Sequence, residues 1–271
     1  MGLQAKLADL LIPPDLKAHF DKVEKPVGDA GYDPWGFKLE NAKAGMAAFR
    51  WVHDKYFRVQ SYGIENIPAK GRALVIANHG GQLPMDGLMI GMAIAMRKEN
   101  PRFARAMIER FFPTVPILGN WLNSVGAVIG DPLNCEKMLE REEVIVVFPE
   151  GARGAGKLYK DAYQLERFGN GFMRLAMEFD APIIPVGVVG NEETMPAVAN
   201  IKPLAKLLGV PYVPVAPPMP LPAQMHLNFG EAMHFPNDDA SEEEVAARVN
   251  QVKEAINGLI AKGLKERESI F

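Results

Sequence analysis

Four short runs of apolar residues punctuate the chain, at residues 73–77, 125–129, 144–148 and 183–189. Each is rich in valine, isoleucine and alanine and too short for a stable helix. Turn-forming or polar residues bound them, which is the signature of a strand buried on both faces. Helical text separates the runs, and that alternation predicts an α/β fold, a single domain with a mainly parallel or mixed sheet flanked by helices. Near the end of the chain Ser241 and Glu244 form a capping box, after which Val245, Val249, Val252, Ile256, Leu259 and Ile260 recur at three- and four-residue steps. This pattern predicts a C-terminal docking helix with a structural role. Residues 1–40 combine a short amphipathic stretch over 3–12 with turn-rich text at Pro13-Pro14 and residues 31–36, and read as a wrapping N-terminal arm without chemistry of its own. A helix is expected from Asn41 to about Tyr56, with Phe49, Val52 and Tyr56 at helical spacing among Lys43, Arg50, Lys55 and Arg58. It either docks on the core or lies on lipid. The expected parts are an arm and amphipathic helix over 1–56, a central domain over 57–237 and the terminal helix over 238–271.

Composition narrows the classes. With 271 residues and 48% hydrophobic content, the chain can bury a substantial core in one α/β domain. Its 30 basic and 33 acidic residues give a net charge of −3, so no nucleic-acid partner is expected. The single cysteine, Cys135, excludes an intrachain disulfide and a cysteine-based zinc cluster, and reads as a small half-buried residue. His19, His53, His226 and His234 lack partners at ligand spacing and read as structural, so no metal is expected. The uncharged, mainly apolar stretch over residues 87–96 is far shorter than the ~20 residues that span a bilayer, so no membrane span is expected. Lys6 stands where a myristoylation signal wants Ser or Thr, and no basic-then-apolar leader is visible. The expected location is cytoplasmic, with peripheral attachment to the cytoplasmic face of a membrane.

The chemistry gathers where strands end, the place at which open parallel sheets collect ligands. Asn78-His79 closes the first apolar run, and Gly80-Gly81-Gln82-Leu83 leads to Pro84-Met85-Asp86 and an apolar helix. Proline suits a first helical turn, so Asp86 falls where backbone N–H groups stabilise a carboxylate. The histidine and the aspartate can therefore meet. A neutral imidazole accepts a proton from a hydroxyl nucleophile, while a carboxylate on its other nitrogen selects the tautomer and stabilises the imidazolium. Taken alone, the pair is equally an ordinary strand-end histidine and helix-start acid. The run 144–148 likewise enters Pro149-Glu150-Gly151-Ala152-Arg153-Gly154-Ala155-Gly156-Lys157, a polar glycine-rich loop. Its amides, with Arg153 and Lys157, can bind a phosphate on a lipid or a coenzyme, because glycine permits close backbone approach. The spacing is not that of a Walker loop, and a solvated turn with incidental charges is the plainer alternative.

Taken together these segments resemble the glycerolipid acyltransferase family that includes the lysophosphatidate acyltransferases. The family's first motif, Asn-His-x4-Asp, is matched by Asn78, His79 and Asp86, and its third, Phe-Pro-Glu-Gly, by Phe148, Pro149, Glu150 and Gly151. Its fourth, an apolar Val-Pro-Ile-Val-Pro-Val strand, is matched by Ala181-Pro182-Ile183-Ile184-Pro185-Val186. Residues 63–68 resemble the family's usual approach to the histidine strand, so the likeness covers roughly 57–235. Two departures stand out. His79 and Asp86 enclose six residues rather than four, as in the branch related to monoacylglycerol and diacylglycerol acyltransferases. The second motif, Gly-x-x-Phe-Ile-x-Arg, is represented by residues 126–132 without its arginine, with Asp131 in the segment. That arginine is associated with the acceptor phosphate, which puts lysophosphatidate in question as substrate.

The resemblance implies an O-acyltransferase of phospholipid or other glycerolipid metabolism, with acyl-CoA or acyl-ACP as co-substrate, no bound cofactor, and acyl carrier protein as one candidate partner. His79 takes the proton of the acceptor hydroxyl, Asp86 orients the imidazole, and the oxygen attacks the thioester directly. Asn78, Gly80, Gly81, Glu150 and Gly151 are expected to shape the substrate site, with Arg153 and Lys157 as anion contacts. Amides near Gly80 and Gly81, or near Gly151, are expected to stabilise the oxyanion. Two alternatives share the residues, an acyl thioesterase with water as acceptor and an inactive lipid-binding or membrane-recruitment module. The uncharged, proline-rich residues 210–221 either touch the membrane, aided by Lys202 and Lys206, or cover an acyl tunnel.

Overall fold

The computed structural model describes residues 12–23, 31–115 and 118–271. The amphipathic stretch read over 3–12 lies, apart from Ile12, outside the described residues, as do Met1, Gly2 and Lys6. The strands are β1 (Gln60–Tyr62), β2 (Ala73–Ala77), β3 (Ala104–Ile108), β4 (Ala127–Ile129), β5 (Val144–Val147), β6 (Ile183–Val189), β7 (Ala199–Asn200), β8 (Pro214–Val215) and β9 (His226–Phe229). The α-helices are α1 (Pro14–Phe20), α2 (Leu39–Trp51), α3 (Met85–Met96), α4 (Leu118–Val125), α5 (Pro132–Glu140), α6 (Ala152–Ala155), α7 (Gly171–Glu178), α8 (Asn191–Thr194), α9 (Lys202–Leu208) and α10 (Glu242–Glu266).

The main sheet has seven strands in the order β1-β9-β6-β2-β5-β3-β4. All neighbours are parallel except β6 and β9, so the sheet is the mixed, mostly parallel one expected. Strand alternation sorts β2 cleanly: Leu74 and Ile76 point into a core with α5, α7 and α10, while Ala73, Val75 and Ala77 point into a second core with α3. Helices thus cover both faces of a single domain, which is why the central strands read as continuous apolar runs. The run 125–129 requires a small correction: Val125 ends α4, Gly126 turns the chain with φ +113°, and only 127–129 pair as a strand.

Two strands, β3 and β9, escaped the apolar-run criterion because buried polar residues interrupt them. β3 carries Arg105, and β9 carries His226 and Asn228, all buried. Arg105 is fully buried, paired with Asp33 and, at 2.6 Å, with Glu143, and its guanidinium lies over the rings of Phe37 and Trp35. Asp33 also accepts the backbone N–H groups of Trp35 and Phe37 at 2.9 and 2.8 Å. This cluster fastens the arm to the sheet. The helix expected over 41–56 begins at Leu39 and ends in a π-helical turn at Val52–Tyr56, and it docks on the core through Met46, Phe49, Val52 and Tyr56. α10 carries the expected capping box and buries Val245, Val249, Val252, Ile256 and Ile260 against β6 and β9.

Candidate active site

Register alone brings the site loops together. Ile76 of β2 lies beside Val147 of β5 and Pro185 of β6, and Ala77 beside Val186, so the chain leaves three adjacent strands at one edge. Asn78 ties that edge, its amide exchanging two hydrogen bonds with the Val188 backbone, at 3.0 and 2.7 Å. It is a backbone clamp, buried away from the cavity described below.

His79 Nδ1 lies 2.6 Å from Asp86 Oδ2, and the Asp86 carboxylate is completely buried. The Gly80 N–H donates to Oδ2 at 3.3 Å and the Gly87 N–H to Oδ1 at 2.8 Å, which fixes the carboxylate at the start of α3. Six intervening residues still allow this contact because Gly81 and Gln82 both turn back through positive φ, +72° and +61°. Glycine is required at 81, where a Cβ would lie 2.2 Å from the Asn191 carbonyl oxygen. The imidazole stacks on Phe148 with ring centroids 4.3 Å apart. Burial opposes its charge, but Asp86 by attraction and hydrogen bonding, and Glu150 and Glu192 by attraction, outweigh that and hold its pKa above the ordinary histidine value. With Nδ1 engaged, Nε2 is the nitrogen available to a substrate.

His79 forms part of the wall of a cavity of about 730 Å³, within the ~300–1,000 Å³ range of small-molecule sites. Its lining is overwhelmingly apolar, with Met46 and Phe49 from α2, Leu88 and Met92 from α3, and Trp121 and Leu122 from α4. Cys135 also lines it, and burial pushes that thiol up to about 12, so it stays protonated at neutral pH. Glu109, Arg110 and Asp131 supply its charged groups.

The loop after β5 departs from its expected role. Glu150 does not line the cavity; its buried carboxylate accepts the His79 N–H at 2.8 Å and the Glu166 N–H at 2.7 Å. Lys157 is no exposed anion contact, since its ammonium is buried 3.4 Å from Glu150 and 3.2 Å from Glu192. Arg153 is exposed and donates to the Arg167 carbonyl at 3.1 Å. Gly151 lines the cavity, but its N–H is bound to the Phe148 carbonyl at 3.0 Å. The Gly80 N–H is likewise committed to Asp86, so neither of these amides is open to an oxyanion in this arrangement. Asp131 caps α5 through the Leu133 N–H and pairs with Arg110 at 2.9 Å, so its charge is compensated at the cavity edge. Sequence reading missed Glu109 and Arg110, which follow the unrecognised β3, together with Asn191 and Glu192 behind β6 and Tyr212, whose hydroxyl donates to the Gln82 carbonyl at 2.6 Å.

A strand-end histidine and helix-start aspartate on a mostly parallel, helix-covered sheet, beside an apolar cavity, define an acyltransferase-type α/β domain. Comparison with known proteins agrees. The chain belongs to the Acyltransferase family, whose sequence model matches residues 58–189. It is 35% identical to an uncharacterized protein of Mycobacterium leprae, over 92% of this chain and 72% of that one. It is 27% identical to the DGAT1/2-independent enzyme synthesizing storage lipids of Gallus gallus, over 75% of this chain and 59% of that one. The fold matches the crystal structure of the 1-acyl-sn-glycerophosphate (LPA) acyltransferase PlsC from Thermotoga maritima with a TM-score of 0.54 and 19% identity, covering 84% of this chain and 83% of that one.

Proposed function

We propose that this protein transfers a fatty acyl group from an acyl thioester, acyl-CoA or acyl-ACP, to the hydroxyl of a lipid, with His79 as general base. The observation that carries the reading is the His79–Asp86 pair set in the wall of the large apolar cavity. His79 Nε2 takes the hydroxyl proton as the oxygen attacks the thioester carbonyl, and the imidazolium is stabilised by Asp86. The tetrahedral intermediate then expels the thiolate. The proton held on His79 passes to that sulfur, giving an ester, a free thiol and the neutral base again. The charged groups at the cavity favour an acceptor that needs no phosphate beside its reacting hydroxyl, because Asp131 already occupies Arg110. The likeness to an enzyme described as synthesizing storage lipids points the same way. A panel of lysophosphatidate, monoacylglycerol, diacylglycerol and a long-chain alcohol, under one donor and read by lipid mass spectrometry, tests this. A preference for lysophosphatidate above about a hundredfold in kcat/KM, ~2.7 kcal/mol, refutes the acceptor assignment. Thioester cleavage without any ester product refutes acyl transfer and identifies a thioesterase.

The lipid substrates are met, on this reading, by peripheral attachment to the cytoplasmic face of a membrane. Among the described residues no helix is long and apolar enough to cross one. The proline-rich segment offers a mixed surface, with Met219 and Val215 exposed but Val213 only partly so and Tyr212 turned inward onto Gln82. α9 is better suited: Leu207 is 80% and Leu208 60% exposed, beside exposed Lys202 and Lys206. The whole span 194–230 contains no acidic residue in a chain that is net negative. Leucines between lysines suit an anionic lipid surface. Replacing Leu207 and Leu208 by Glu removes ~3 kcal/mol or more of apolar insertion, so sedimentation with phosphatidylglycerol vesicles should fall by about a hundredfold. Unchanged sedimentation of the folded variant refutes this surface.

A further inference from the structure

The turn bearing His79 rests on a segment to which none of the acyltransferase motifs extends. After β6, Gly190 turns with φ +101° and delivers α8, whose four residues are all buried. The Asn191 amide donates to the Gly80 carbonyl at 2.6 Å. The Glu192 carboxyl carbon lies 2.4 Å from where a Cβ on Gly80 would sit, so the absence of a side chain at 80 is what admits this carboxylate beneath the turn. Glu192 is 4% exposed, accepts the Tyr163 N–H at 3.3 Å, and faces the Lys157 ammonium at 3.2 Å. Lys157 in turn faces Glu150, the residue that accepts the His79 N–H.

We propose that Glu192, assisted by Asn191, is a positioning residue for His79, holding the Gly80–Gly81 turn from below and setting a third buried carboxylate, beside Asp86 and Glu150, near the imidazole. A structural role alone would be met by an apolar side chain, since burying a carboxylate is costly unless its charge is used or fully paired. Here two carboxylates, Glu150 and Glu192, face one ammonium, and burial holds the Glu192 carboxyl above the usual glutamate range against the pull of Lys157. The ionisable groups around His79 are Asp86 from α3, Glu150 and Lys157 from the loop after β5, Glu192 from α8, Glu109 at the end of β3, and the Tyr212 hydroxyl held on Gln82. Attraction from Asp86, Glu150 and Glu192 favours the imidazolium, consistent with the raised histidine value. A proton taken from an acceptor hydroxyl is thereby stabilised on His79.

The role as base rests on the proposed acyl transfer, so the test reads His79 directly. Glu192→Gln keeps the shape and removes the charge. In histidine-labelled protein followed by NMR, the His79 titration midpoint should move to lower pH by about 1, the scale set by a buried unit charge several ångströms away. Its kcat should fall about tenfold with KM within about twofold, the acid limb of the kcat profile following the midpoint. An unmoved midpoint in the folded variant overturns the proposal, whatever happens to kcat. Should Glu192→Gln not fold, Glu192→Asp draws the carboxylate back by one methylene and should lower the midpoint part of the way; an unmoved midpoint in that folded variant overturns the proposal. A shifted midpoint in a protein whose wild type transfers no acyl group on the full panel upholds the coupling and refutes the acyltransferase reading instead.

Discussion

Asp86→Asn tests the proposed chemistry with least disturbance of packing. The two side chains have nearly the same shape, and Asp86 is fully buried with both oxygens occupied. If the asparagine oxygen keeps the Gly87 N–H, the amide NH2 faces His79 Nδ1 and the Gly80 N–H. The first then selects the tautomer protonated on Nε2, which cannot accept a proton from substrate, and the second becomes a donor facing a donor. If the amide flips, the imidazole keeps its tautomer but the Gly87 N–H loses its acceptor. In either orientation the charge behind the imidazolium is gone. A unit charge ~4 Å from the ring at an effective dielectric of ~20 contributes about 4 kcal/mol, or about a thousandfold in kcat at 1.36 kcal/mol per decade. The sign for pH follows from the same charge. Asp86 helps to raise the His79 pKa, so the neutral base dominates only above that raised value and wild-type activity climbs as pH rises through it. In Asp86→Asn the acid limb must shift to lower pH while the plateau collapses. The assay is single-turnover acyl transfer across pH, with folding verified by circular dichroism and the tautomer read from imidazole nitrogen shifts. A plateau within about threefold of wild type would falsify the assignment of His79 and Asp86, because so large a loss of charge stabilisation must appear in the rate.

Three further outcomes follow from the packing. Gly91 lines the cavity with nothing within 4 Å of where its Cβ would lie, so Gly91→Leu should fold normally yet shift donor preference toward shorter acyl chains. An unchanged chain-length profile on an acyl-CoA series would show that the acyl chain lies elsewhere. Gly81→Ala forces a Cβ to 2.2 Å from the Asn191 carbonyl at φ +72°, and should cost ~2 kcal/mol or more, lowering Tm by about 5 °C in calorimetry. A Tm equal to wild type would mean that the turn is not held in this conformation. Arg105→Met leaves Asp33 buried without its cation and Glu143 with Arg141 alone, and should cost ~3–5 kcal/mol by chemical denaturation. Adding Asp33→Asn and Glu143→Gln should recover part of the loss, and no recovery would contradict the charge argument.

Much of this protein was legible from residue order because its information is local. Buried parallel strands need continuous apolar residues, so β2, β5 and β6 stand out, and α10 declares itself by Ser241, Glu244 and its apolar stripe. The meeting of His79 and Asp86 could be anticipated because both lie within one strand–turn–helix unit. Other features depend on neighbours distant in sequence. β3 and β9 were hidden because Arg105, His226 and Asn228 are buried polar residues whose placement comes from tertiary packing, such as the Asp33 and Glu143 partners of Arg105. Lys157 and Glu150 read as substrate contacts in a glycine-rich loop, yet the fold turns both inward, where the ammonium meets Glu192 from a strand end more than 30 residues away. Residue type specified the charges, but only parallel pairing of β2 with β5 and β6 decided which of them would meet beneath the histidine. The reason is physical: register acts between strands, and a chain read one residue at a time does not contain it.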